Sequence, residues 1–512
     1  MLKKILSIFN KPVIDPIPEL LEEINALISG TQFAEAETMC RKKLTEHPYQ
    51  PDLLCALGMC LGAQGKLDTA VLCFNQVLKQ NPKHADSLKG LGNIAHLKED
   101  YSAAADYYEQ FLEFFPYTED VVVNYANACG YIGSYERPKP IIENWIQAFP
   151  DKVAAHFEEA SISYNLNHYQ ACISRIDKIL EIDPQYHSAL FMRSYMHMSN
   201  LNFTQAWRDY ENRIKLMSLD QVLPFKRWDG QRLEKGLLII RLEQGIGDNF
   251  MFARFLPRLN TLAKRMVVMA SDNIIELFSD SFTDITFLKA ETTVVELLKD
   301  KTIIADTETS EIYWLPLLSA PFVLGLKEIS DLAMQHPYLV CNPNKTETMR
   351  SVLGKKNKLR IGITWRGNKA RKDYKLRTLT EEGLSMLISA DDSNRQIEWI
   401  SLQNDEQPPQ ALTHKIRDMS QYLHNFADTA ALIHELDAVI SIDTSIAHLA
   451  GAMGISTYVL EPYTNDWRWR IGEYESPWYP ATKLYKSERP DSAERWDKAI
   501  DKIKTDLHAG FS

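Results

Sequence analysis

The sequence has no uninterrupted apolar run of about 18 residues, so no membrane-spanning helix is expected. Its seven cysteines form no C-x-x-C pair and no even framework. Six of them (Cys40, Cys55, Cys60, Cys73, Cys129 and Cys172) sit at core-like helical positions in the first two-fifths, which fits reduced thiols of a cytoplasmic protein. Positive charge is in deficit, and a net charge of −11 argues against nucleic acid as a general partner. Met1–Phe9 is too short for a signal peptide; it reads as a segment touching a membrane surface or, preferably, as part of a disordered 1–16 tail ending around Pro12, Pro16 and Pro18. What remains is an ordinary globular composition, 45% hydrophobic and 24% charged over 512 residues, enough for about three domains.

Proline supplies the first positive signal. Pro48, Pro82, Pro116, Pro150 and Pro184 follow one another at a spacing of 34 residues. Leu54, Leu57, Gly58, Ala70 and Phe74 recur one period later as Leu88, Leu91, Gly92, Ala104 and Tyr108. Small residues at two fixed positions let a pair of helices cross closely, and the proline ends the second helix because it cannot continue the ladder. The pattern resembles the tetratricopeptide repeat. Six units are expected over 17–220, starting at Ile17, Pro51, Ala85, Glu119, Val153 and His187. The fourth departs through Pro138, and the sixth has Ser218 where proline is usual. Such repeats stack into a superhelix with a concave groove for a partner. Asn93 and Asn127 share a repeat position on the first helix; they read either as amides holding an extended peptide or as solvent-facing polar residues.

Beyond a linker expected at 221–236 the periodicity changes. Leu237–Leu242 (LLIIRL) is a run, apolar but for Arg241, of the kind buried in parallel sheets. It leads into Glu243–Asp248 (EQGIGD), where Gly245 and Gly247 permit a tight turn. This loop lacks the third glycine and the Lys-Ser/Thr of the commoner nucleotide loops. A carboxylate there repels phosphate, so Asp248 reads as a base or an acceptor-orienting group, or else as a helix-capping aspartate. Further strands are expected at Met266–Ala270, Ile285–Leu288 and Thr302–Ala305, with the apolar segment Glu311–Leu324 packed on them. These make one α/β domain over 237–341, and Asn342–Lys358 reads as the linker to a second.

That second domain, 358–490, opens with the strand LRIGIT, followed by a basic loop. Arg366, Lys369, Arg371, Lys372, Lys375 and Arg377 fall within twelve residues, against the single acid Asp373. Such a cluster is either a solvated charge run or, since it follows a strand end where open sheets bind ligands, a diphosphate site. The most informative stretch is Ala438–Gly454 (AVISIDTSIAHLAGAMG), a buried strand, a turn through Asp443, Thr444 and Ser445, and a helix of small residues carrying His448. It reads as an ordinary capped corner or as an anion site at a helix N-terminus. The segment EPYTNDWRWRIGEYESPWYP suits a loop covering a ring or a phosphate, and a closing helix is expected within 491–512.

From Trp228 onward the chain resembles GT-B glycosyltransferases related to bacterial heptosyltransferases. The residues carrying this are EQGIGD, FARFLP, LPLLS, GITWRGN, Arg377-Thr378, SLQ, FADTAALI, ISIDTSIAHLAGAMG and PYTNDWRW, in that order. The layout is also similar to O-GlcNAc transferase and to repeat-fused flagellin glycosyltransferases. The resemblance implies an α-helical tetratricopeptide solenoid followed by an α/β GT-B region of two Rossmann-like domains. It implies Asp248 as the base, and a donor diphosphate held among Arg366, Asn368, Lys372, Arg377, Gln403, Asp443, Thr444, Ser445 and His448. No Asp-x-Asp motif between strands is evident, and arginines with a helix N-terminus can stabilise a leaving diphosphate, so no metal or other cofactor is expected. The expected partners are a nucleotide-sugar donor and a protein acceptor such as flagellin or another surface protein. The alternatives are a glycosyltransferase acting on a glycolipid or saccharide, and a non-catalytic repeat scaffold.

Overall fold

The computed structural model describes residues 17–304, 311–332, 337–389, 397–464, 466–469, 474–490, 492 and 494–510; the tail expected at 1–16 lies outside them. The chain falls into two compact units, one ending at Glu158 and the other starting at Glu159.

The first unit is a run of paired helices: α1 (Ile17–Ser29), α2 (Phe33–Leu44), α3 (Pro51–Ala63), α4 (Leu67–Gln80), α5 (Ala85–Leu97), α6 (Tyr101–Leu112), α7 (Glu119–Tyr131) and α8 (Lys139–Ala148). Helix α9 (Val153–Asn165) crosses the boundary at Glu158. Each first helix begins at the residue the 34-residue period predicts. Each recurring proline lies two to four residues past a second helix, as a residue lacking an N–H requires. In the fourth pair, Pro138 and Pro140 delay the second helix and hold it to 10 residues. The six repeat cysteines are buried, four of them in the α2–α4 core with Leu53, Leu57 and Phe74.

The small residues work as the pattern demands. A Cβ on Gly58 would lie 2.8 Å from the Phe74 ring, and one on Gly92 would lie 2.5 Å from the Tyr108 ring. Both rings belong to the second helix of the same pair, so neither can retreat without opening the crossing. We expect Gly92→Val to destabilise the first unit by about 1–3 kcal/mol through overpacking. Urea denaturation of the full chain followed by circular dichroism measures this; an unchanged transition would show that the crossing yields.

The second unit starts with the remaining repeat helices, α10 (Tyr169–Ile182), α11 (His187–Ser199), α12 (Phe203–Tyr210) and the short α13 (Arg213–Leu216). Two wholly parallel sheets follow. The first has strands β1 (Lys226–Arg227), β2 (Leu233–Arg241), β3 (Ala263–Ala270), β4 (Thr286–Lys289) and β5 (Ile312–Pro316) in the order β1-β5-β2-β3-β4. The second has β6 (Leu359–Thr364), β7 (Ile397–Ser401), β8 (Ile416–Arg417), β9 (Ala438–Ile442), β10 (Thr457–Glu461) and β11 (Thr482–Lys486) in the order β11-β10-β9-β6-β7-β8. Strand β2 is apolar on both faces because both are covered: Leu238 and Ile240 enter one core, Leu237 and Ile239 another. Each fully buried aliphatic side chain of this kind contributes about 1.5–3 kcal/mol.

Several expectations are corrected. Thr302–Ala305 is not a strand: Lys301–Ile304 is helical, Ala305 lies outside the described residues, and the strand is Ile312–Pro316 within the segment expected only to pack. Its alternating burial of Ile312 and Trp314 against Leu315 serves two cores, which an apolar run alone does not reveal. The stretch 221–236 is not a free linker, since it supplies β1 and the start of β2 and buries Trp228. Asn342–Lys358 contains the helix Pro343–Leu353, capped by Asn342 and burying Thr346, Met349 and Leu353.

The last repeat helices are built into the sheet core. Phe203, Trp207 and Tyr210 share one cluster with Leu238, Phe252, Trp467 and Trp478. Trp207 meets Phe252 edge-on at 6.0 Å, and Tyr195 stacks on Trp467 at 6.3 Å.

Candidate functional site

In open parallel sheets ligands bind past the carboxyl ends of the strands, where neighbouring strands send their connections to opposite sides. In the second sheet that point lies between β6 and β9, which pair with each other while their successors β7 and β10 lie on opposite sides. Thr364 at the end of β6 and Ser441 in β9 share a 2.6 Å hydrogen bond, and Ser441 reaches Thr444 at 3.0 Å, which ties the two ends together. A cavity of about 700 Å³ opens there. Its far wall comes from the first sheet: the loop after β2 and the helix α14 (Ile246–Phe252).

The two walls meet closely. Gly247 faces α15 (Ser445–Ala452) with no space between: a Cβ would lie 2.7 Å from the His448 ring and 3.4 Å from Ser445 Cα. This explains the second glycine of the loop. Gln244, just before it, adopts a left-handed φ of 58°, and its side chain pairs with the Tyr210 hydroxyl.

Asp248 occupies the third position of α14 and is buried. Its Oδ2 accepts the Gly245 N–H at 3.2 Å, so the capping role is real. Its Oδ1 accepts from Arg468 Nε at 2.8 Å and Nη2 at 2.6 Å. Arg468 also donates from Nη1 to both oxygens of Asp466, at 2.8 and 3.0 Å. Burial pushes the Asp466 carboxyl up, but Arg468 and Arg377 outweigh it and leave it below the usual range.

Arg377 bonds both Asp443 and, at 2.9 Å, Asp373. Burial works against the Asp373 carboxylate, yet Arg371 and Arg377 hold its pKa at about 2. The other Asp443 oxygen accepts from Trp469 Nε1 at 2.9 Å. His448 lies under Trp469, ring centroids 4.7 Å apart, with Nδ1 3.0 Å from the Tyr479 hydroxyl. Burial depresses its pKa to about 4, so the imidazole is neutral at neutral pH and offers a hydrogen bond, not a charge, to the cavity. Arg366 pairs with Glu406, and Gln403 donates to the Arg366 carbonyl at 3.1 Å and to Asp405 at 2.7 Å.

Thus Gly245, Gly247, Asp248, Arg366, Asn368, Arg377, Gln403, Asp443, Thr444, Ser445 and His448 line one cavity. Lys372 does not; it is exposed outside the wall. The basic loop therefore splits: Arg366, Arg371 and Arg377 reach the cavity, while the lysines do not line it. Sequence reading named neither Asp466 nor Arg468 as a site residue, although both lie in the Trp- and Arg-rich stretch read as a covering loop. Asn93 and Asn127 do not line the cavity; they are exposed on α5 and α7 of the first unit, and Asn93 accepts from Tyr108 Oη at 2.8 Å.

Residues 55–118 match the family model for the tetratricopeptide repeat. The tetratricopeptide character of the N-terminal helices is therefore shown. Protein FlbA of Caulobacter vibrioides is 20% identical over 409 residues, which is 76% of this chain and 65% of FlbA. Cellulose synthase operon protein C of Pseudomonas fluorescens is 27% identical over 158 residues, 29% of this chain and 12% of that protein. The chain thus spans less than two-thirds of the length of either relative. Among solved structures, a tetratricopeptide repeat protein from Parabacteroides merdae is similar at 16% identity with a TM-score of 0.34, covering 39% of this chain and 78% of the other.

Proposed function

We propose that this chain is a glycosyltransferase of GT-B type that moves a sugar from a nucleotide-sugar donor to a protein acceptor recruited by its tetratricopeptide repeats. The observation that carries the reading is the shared cavity. A carboxylate following one parallel sheet and a set of arginines with a helix N-terminus following another face the same space. An acceptor hydroxyl beside Asp248 would give up its proton there while the sugar's anomeric carbon is attacked. The departing diphosphate would lie against the N-terminal turn of α15 and Arg377, whose charge and N–H groups suit an anion without calling for a metal ion. The match to FlbA supports the reading that repeats and sheets act as one protein, because 76% of the chain is more than the repeats alone occupy.

A thermal-shift series with UDP, GDP, ADP, dTDP and CMP, alone and as sugar conjugates, tests this. At about a hundredfold excess over Kd a ligand adds about 2.7 kcal/mol to the folded state. We expect one nucleotide family to raise the melting temperature by several degrees, and Arg377→Met to remove the shift. No shift with any member would overturn the reading.

A further inference from the structure

Among the described residues, every arginine that lines this cavity already carries a carboxylate of the protein. Arg377 has Asp443 and Asp373, Arg366 has Glu406, and Arg371 has Asp373. All three acids belong to the same sheet region as their arginine. Arg468 differs, because one of its two acids comes from across the cavity. Its Nη1 is fixed on Asp466, two residues away, while its Nε and Nη2 edge is given to Oδ1 of Asp248 at the start of α14. The guanidinium lies 4.5 Å over the Trp467 ring, which is itself stacked on Tyr195. Asp466 and Trp467 hold the arginine from its own segment, and its other edge faces Asp248 across the cavity.

We propose that Arg468 is the cavity's exchangeable diphosphate ligand, and that Asp248 is its internal stand-in for phosphate while the cavity is empty. Two N–H groups in a fixed fork suit a phosphate as well as a carboxylate. A diphosphate arriving against this edge displaces Asp248 and leaves Asp466 in place. The exchange has a chemical consequence. Asp248 bonded by Arg468 is a masked base; released, it has a free Oδ1 for the acceptor hydroxyl. The acceptor oxygen then bonds to the anomeric carbon and its proton passes to Asp248. The bond from that carbon to the diphosphate oxygen breaks with its electron pair on the diphosphate, where Arg468 receives the charge. The base is thus unmasked only when a donor is present.

This inference rests on the proposed function and makes an opposite prediction to a purely structural ion pair. Asp248→Asn keeps the shape and an oxygen to accept the Gly245 N–H, but it removes the anion competing for Arg468. Titration calorimetry on the full chain would compare the wild type, Asp248→Asn, Arg468→Gln and the double variant. The probes are UDP, GDP, ADP and dTDP, inorganic pyrophosphate, and the nucleosides without phosphate. We expect Asp248→Asn to bind the favoured nucleoside diphosphate about tenfold tighter or better, Arg468→Gln to bind it about tenfold weaker, and the double variant to match Arg468→Gln. Pyrophosphate should follow the same order and the nucleosides should show no change. Binding by the wild type that is unaltered or weakened in Asp248→Asn, unaltered in Arg468→Gln, or tightened equally for nucleosides overturns the exchange and leaves the glycosyltransferase reading standing. No nucleotide binding by the wild type or any variant overturns that reading, and this inference with it.

Discussion

Asp248→Asn is expected to lower the proposed sugar transfer by about 10²–10⁴-fold, the range general-base catalysis supplies, while the protein stays folded. The fold is protected because the amide oxygen can still accept the Gly245 N–H that closes the first turn of α14. The chemistry is not protected, because an amide cannot take the acceptor proton. Initial rates with the donor identified by thermal shift, measured at saturating donor, give the effect free of any change in donor affinity. A variant that transfers within about tenfold of the wild type would place proton acceptance on another group. His448 is a poor substitute, since burial holds its pKa near 4 and its Nδ1 is already engaged with Tyr479.

The parts of this protein that repeat were the easiest to read. A proline at one fixed spacing needs no partner to be recognised, and every first helix starts where that spacing puts it. The strand-turn-helix corner at Ala438–Gly454 was legible for a related reason, since β-branched residues, a capping turn and small helical residues follow one another in sequence. What stayed hidden depends on contacts across the chain. The basic loop reads as surplus positive charge, yet its Arg377 is paired with Asp443, 66 residues beyond it. The partner of Asp248 is 220 residues away. Ile312–Pro316 is a strand between β2 and Lys226–Arg227, and Lys226–Arg227 pairs with Ile312–Pro316 in turn; two residues such as Lys226 and Arg227 carry no strand signal of their own. The sequence also suggested a repeat array ending in a linker. In the structure Phe203, Trp207 and Tyr210 continue the helical period while packing in the core shared with the sheets, and period alone does not say what a helix buries against.

The closeness of that junction leads to the second large effect. Arg213→Met will destabilise the second unit by about 3–5 kcal/mol, the usual cost of leaving buried charges without their partner. Arg213 has no exposed side-chain surface. It donates to Glu243 at 2.6 and 3.2 Å, to Glu211 at 2.8 Å and to the Ser319 hydroxyl at 2.8 Å. Glu211 keeps Arg227 when Arg213 is lost, but Glu243 is left with the Leu318 N–H and no cation among the described residues. Glu243 is the first residue of the loop that ends in Asp248, so the last repeat helix sets the start of the loop that holds the proposed base. Nine of the ten tryptophans follow Glu159, which makes fluorescence a selective probe of this unit during urea denaturation. Adding Glu243→Gln to Arg213→Met should recover part of the loss, because the orphaned charge is then gone, whereas a loss due only to packing would remain. An Arg213→Met protein as stable as the wild type would show that the junction tolerates a free carboxylate, and that the repeats do not fix the Asp248 loop through this ion pair.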